Sequence, residues 1–156
     1  MLLHLKTGLV ALLLGLAGVS VAAAASFPWS KGDAAPPVAG IHLGDSRDRI
    51  TEILGVPVET GKLGQNQETI RSRARGVTVA WTPSEGASVI FLDTRDGGDI
   101  DGIRLGDSRD QVLSKWGVPT NVQAGTAVYL AGAWWVVVKL DDANRVVQLY
   151  LGRVVQ

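Results

Sequence analysis

Residues 41–57 read IHLGDSRDRITEILGVP, and residues 103–119 read IRLGDSRDQVLSKWGVP. Ten of these seventeen positions are identical at a constant spacing of 62 residues, including an unbroken Leu-Gly-Asp-Ser-Arg-Asp. Agreement of that length marks the duplication of one structural unit. A fragment at residues 149–152, LYLG, echoes the start of both copies but has no helix pattern after it.

Each copy spells a short helix with both ends marked. Ser46 and Ser108 are suited to cap the free amides of a first turn. Gln111 lies three residues after Ser108 and completes a capping box, whereas Arg49 holds that place in the first copy. Asp48 and Asp110 put negative charge where the helix dipole favours it. Ile50, Ile53 and Leu54 form an apolar stripe, matched by Val112, Leu113 and Trp116. Gly55 and Gly117 close the helices, Val56 and Val118 are expected to fold back, and Pro57 and Pro119 prevent continuation. Helices of about nine residues do not persist alone in water, so these stripes must be buried on something else.

The segments between and after the copies supply it. Residues 69–75, 77–82, 88–92 and 100–105 follow the first helix, and residues 127–130, 133–140 and 145–151 follow the second. All are rich in Val, Ile, Thr and aromatics and are separated by turn residues. The expected fold class is α+β: two tandem helix-plus-antiparallel-strand repeats, with short helices packed on one face of an antiparallel sheet. Repeat one covers about residues 41–102 and repeat two about 103–156, within a domain spanning 39–156.

Residues 1–25, MLLHLKTGLVALLLGLAGVSVAAAA, have the grammar of a secretory signal peptide: a short head with Lys6, an apolar core, and Ala-x-Ala before Ser26. The core is shorter than the roughly 20 residues of a spanning helix and contains Gly8, Gly15 and Gly18, so cleavage rather than anchoring is expected. The chain is then exported, to a bacterial periplasm or beyond, with no transmembrane anchor after cleavage. Residues 26–38, SFPWSKGDAAPPV, read as a flexible linker because Pro28, Pro36 and Pro37 donate no backbone hydrogen bond and the small residues bury little. Trp29 either docks on the domain or, as a lone linker tryptophan more often does, plays no part in the packing.

The composition of the 156-residue chain narrows the function. Fifteen Lys and Arg balance fifteen Asp and Glu, so no long-range field draws nucleic acid or an anionic membrane. There is no cysteine, which excludes disulfides, thiolate metal sites, cysteine nucleophiles and a lipidated N-terminal cysteine. Two histidines, one in the leader, leave little for acid–base catalysis.

The pattern Leu-Gly-Asp-Ser-x-x-x-φ-x-x-φ-φ-Gly-x-Pro (φ apolar), followed by a Trp- or Tyr-bearing strand, resembles the SmpA/OmlA repeat family, which includes a small lipoprotein of the outer-membrane β-barrel assembly machinery. The doubling is similar to the tandem arrangement of the β-lactamase inhibitor protein fold. The resemblance covers roughly residues 39–156, with specific motif residues only in the two seventeen-residue stretches. Asp45-Ser46 and Asp107-Ser108 stand where the family usually has Met then Thr, and the lipidated cysteine is absent.

Several residue groups are candidates for a site. Trp134 and Trp135 are adjacent, so on a strand they point to opposite faces. Trp134, Val136, Val138 and Leu140 would face the helices, as would Val147, Leu149 and Leu151 of the last strand. Trp135, Val137 and Lys139 would then share the other face with Gln148, Tyr150 and Trp81, an aromatic surface of the kind found at protein interfaces. A cover of linker or loops over that face is the competing reading. Arg71, Arg73 and Arg75 alternate and would share one face of a strand, with Trp81 nearby, either to hold a nucleic-acid phosphate or an acidic partner or to guard an edge, and the neutral total charge argues against nucleic acid. Asp93, Asp96, Asp99 and Asp101 with two glycines suggest a calcium loop, though the spacing is not that of an EF-hand and a solvated hairpin turn explains it equally. His42 aligns with Arg104 and reads as structural, and Ser46 and Ser108 read as caps. No catalytic constellation, metal-ligand pattern or phosphate loop is present, and no cofactor is implied. The sequence points to an exported, non-enzymatic module of the cell envelope that binds another envelope protein rather than nucleic acid. An inhibitor of a periplasmic or secreted hydrolase and a calcium-stabilised structural module are the alternatives.

Overall fold

A computed structural model of the chain describes residue 29 and residues 33–154. The signal-peptide reading of residues 1–25 lies outside the described residues. The elements run α1 (Arg47–Leu54), β1 (Glu59–Lys62), β2 (Glu68–Ser72), β3 (Val77–Thr82), β4 (Gly86–Leu92), α2 (Arg109–Trp116), β5 (Asn121–Gln123), β6 (Thr126–Leu130), β7 (Trp134–Leu140) and β8 (Val146–Arg153). A 3₁₀ turn at Arg95–Gly97 follows β4.

The strands form a single eight-stranded sheet in the order β1-β2-β3-β4-β8-β7-β6-β5, with every neighbouring pair antiparallel. This corrects the expected α+β arrangement of two tandem helix-plus-strand repeats. The chain is mostly one antiparallel sheet carrying two eight-residue helices. The reason lies at the centre, where Val89–Leu92 of β4 pairs with residues 149–152 of β8. Either four-stranded meander alone would leave a long apolar inner strand with unpaired amides and carbonyls; joining them removes both open edges. The outer edges are left to β1 and β5, which are short and polar.

Both helices begin and end where the repeated motif places them. Ser46 Oγ accepts from Arg49 N, and Ser108 Oγ accepts from Gln111 N while Gln111 Oε1 accepts from Ser108 N, so only the second copy closes the capping box. The aspartate before each cap is fixed in the same way: Asp45 Oδ2 accepts from His42 N at 2.8 Å, and Asp107 Oδ2 from Arg104 N at 3.0 Å. The backbone beside it docks on an inner strand. Gly44 N donates to Ala87 O and Ala87 N to Asp45 O, while Gly106 N donates to Val146 O and Val146 N to Asp107 O. The duplication therefore survives as two plugs docked alike on the starts of β4 and β8, not as two separable bodies. Val56 and Val118 do not fold back; they are 87% and 59% exposed.

Ile50, Leu54, Val112 and Trp116 pack on one side of the sheet against Ile70, Val79, Ile90, Leu92, Tyr129, Val136, Val138, Leu149 and Leu151. Residues 100–105, read as a strand, instead form a tight turn closed by reciprocal bonds between Ile100 and Ile103, with Asp101 and Gly102 both at positive φ. Residues 38–41 repeat that turn through Ala39 and Gly40.

Two arginines cross from one half to the other. Arg95, three residues beyond β4, donates from Nη1 to Leu105 O at 2.6 Å and to Asp107 Oδ1 at 2.9 Å. Arg153, at the end of β8, places its Nη2 beside Gly44 of the first copy. Asp107 is 7% exposed. Burial alone would raise its carboxyl pKa, but the amide of Arg104 and the Arg95 guanidinium outweigh it and hold the pKa below the ordinary 3.8. A depressed folded-state pKa gives stability that is complete above the unfolded value and lost as pH falls through the folded one. Wild type should therefore lose stability below about pH 4, beyond what Asp107→Asn loses over the same range. Urea midpoints of both proteins across the acid range check this; parallel profiles would contradict it.

Candidate functional site

The sheet face opposite the helices carries a second, smaller apolar cluster. Val128, Trp135, Val137 and Tyr150 form it, with Val89, Phe91, Leu130 and Val154 packed around them. The register explains the grouping, because Val128, Val137, Tyr150 and Phe91 lie in one row across β6, β7, β8 and β4. That row continues through Thr78 to Arg71 and Glu59. Both described helices lie on the other side, so among the described residues this face is made of strands.

The rings are fixed rather than loose. Tyr150 sits between Phe91, at 5.1 Å between ring centroids, and Trp135, at 5.7 Å and edge-on. The Trp135 indole lies over Gly152, where any Cβ would meet its ring carbons, and its Nε1 donates to Arg153 O at 3.1 Å. Gly152 thus makes room for the indole to lie flat along the strand rather than stand out from it. Trp135 and Tyr150 are each 8% exposed, so their rings lie within the face and present edges rather than whole faces. Burial pushes the Tyr150 hydroxyl above the ordinary tyrosine range.

The other residues expected at this face divide. Lys139 joins it and is exposed at its edge, opposite Thr126 and Gln148. Arg71 joins the same row; its Nε stands 3.4 Å from Asp93 Oδ2, which also accepts from Thr78 Oγ1 at 2.6 Å. Arg73 and Arg75 fall beyond the end of β2, and Arg73 pairs with Glu59 across the edge strand. The alternating arginines thus do not share one strand. Trp81 is on the opposite face: after the bulge at Ala80/Trp81 it packs against the helix-side core. Its alternation with Val77 and Val79 already carries that signal. Val147 is 46% exposed, because the irregularity between Lys139 and Leu140 turns Val146 inward instead. Phe91 is not among the residues that the sequence singles out, although period two sets it opposite Ile90 and Leu92.

The acidic stretch does not gather into a cage. Asp93 is committed to Arg71 and Thr78, Asp99 Oδ2 accepts from Gly102 N, and Asp96 lies in the 3₁₀ turn. Among the described residues no group of three or more His, Asp or Glu side chains is placed to hold a metal ion. His42 is exposed beside Asp45, with Nδ1 3.9 Å from Oδ2. No helix among the described residues is long and apolar enough to cross a membrane.

Comparison with protein-family models, with curated proteins and with solved structures finds no match to this chain.

Proposed function

We propose that this chain is an exported, non-enzymatic protein-binding module of the bacterial cell envelope, and that its partner is another envelope protein seated on the strand-only face of the sheet. The observation that carries the reading is the locked cluster of Phe91, Trp135 and Tyr150 on that face. A partner would meet ring edges and the half-buried Phe91, Val89 and Leu130, with Lys139 and the Arg71–Asp93 pair as polar rim. Rings already held by packing lose little conformational freedom on binding, so such a surface binds at low entropic cost. The leader supports export. The non-enzymatic part of the proposal takes Ser46 and Ser108 as helix caps and His42 as an exposed neighbour of Asp45.

Photo-crosslinking in the native envelope tests this. A crosslinker at position 139 or 91 should trap a discrete partner, and one at position 52, on an exposed helix-side glutamate, should not. The same products from both sides, or none from the strand face, would contradict it. If the partner is a hydrolase whose activity falls on binding, the inhibitor alternative gains instead.

A further inference from the structure

The segment before the first plug is built into the opposite side of the molecule. Trp29 packs against Trp116 at 5.1 Å between ring centroids and edge-on to Trp134 at 5.0 Å. Trp116 is in turn edge-on to Tyr129 at 5.3 Å. Trp134 Nε1 donates to Asp33 O at 2.9 Å, across 101 residues of chain. Ala35 packs on the same core, and Val38, fully buried, ends the segment in its turn with Ile41. Residues 33–37 have no regular secondary structure, so their place is set by these contacts. Of the two readings of Trp29, the docked one is observed.

We propose that Trp116 and Trp134 form an aromatic-recognition site on the helix side of the sheet, and that Trp29 and residues 33–37 are its ligand in cis. Trp29 supplies the ring and Asp33 the carbonyl that takes the Trp134 indole hydrogen. The recognised class is a tryptophan-bearing, extended segment whose backbone carbonyl lies a few residues after the aromatic. Trp134 meets the Trp29 ring edge-on and Trp116 meets it tilted, a pair of oriented contacts that favours one ring placement over a merely greasy surface. Proline at 36 and 37 keeps the following backbone extended and reduces the freedom lost on docking.

The full-length chain with Trp29→Ala tests this by chemical rescue. The variant should melt roughly 5 °C or more below wild type. Added indole should raise the melting midpoint of Trp29→Ala while leaving wild type, whose site is filled, where it was. A variant that melts with wild type overturns the proposal, as does indole that shifts neither protein or both alike. Should the variant fail to fold, the unmutated chain decides by NMR. Slow solvent exchange of the Trp134 indole hydrogen with Trp29–Trp116 cross-peaks upholds the site, and their absence overturns it.

Discussion

Gly86→Ala is expected to cost about 2–5 kcal/mol and to undock the first plug from β4. Gly86 has φ +69°, and a Cβ there would collide with Gly44 O and come within 2.6 Å of Asp45 O. Both obstacles are backbone, so no rotamer change relieves them. They also belong to the residues that exchange hydrogen bonds with Ala87. Gly64→Ala is the matched control, since Gly64 has φ +87° but nothing within 4 Å of where a Cβ would stand; it should show only the left-handed backbone penalty, about 1 kcal/mol. Urea unfolding of the two variants measures the difference. Equal losses would show that the plug is not seated where the geometry puts it.

Trp116→Ala is the second large loss, about 3–5 kcal/mol. The side chain is fully buried and contacts both Trp29 and Tyr129. Its removal empties the junction between α2, β6 and the N-terminal segment at once. Among the described residues the buried Trp116 Nε1 has no hydrogen-bond partner, so Trp116→Phe keeps an aromatic ring while deleting that donor. The phenylalanine variant should lose roughly half as much as the alanine variant or less. Denaturant midpoints decide, and two equally damaged proteins would contradict the packing described.

These effects trace back to what the sequence makes readable. The helices and their caps are legible because every signal in them is local: Ser46 and Ser108 cap, Gln111 closes the box, and Gly55 and Gly117 stand at positive φ after the last turn. The strands β1 and β5 are not legible, since Glu59–Lys62 and Asn121–Gln123 are polar and mostly exposed, as edge strands are. Residues 100–105 mislead in the other direction, because the apolar Ile100, Ile103 and Leu105 suggest a strand while Asp101-Gly102 folds into a turn. The division of the chain into two units comes from the repeat itself. A repeat shows what was copied but not which strands meet, and the β4–β8 pairing joins residues with about sixty positions between them.

The site is half legible for the same reason. Alternation in β7 separates Trp134 from Trp135 correctly, and Trp135, Tyr150, Lys139 and Arg71 do fall on one face. Phe91 comes to Tyr150 only across the junction of the two halves, which no local pattern contains. Trp135 and Tyr150 meet within the second half, but Phe91 joins the cluster that carries the functional proposal only if the halves share a sheet.

Cross-strand NMR contacts between β4 and β8 test that directly. The fold predicts antiparallel contacts pairing Ile90 with Leu151 and Leu92 with Leu149, with Phe91 ring protons close to Tyr150. Amides of these residues that exchange as fast as those of β1 and β5, with no contacts across the pair, would instead describe two separate halves and take Phe91 out of the aromatic face.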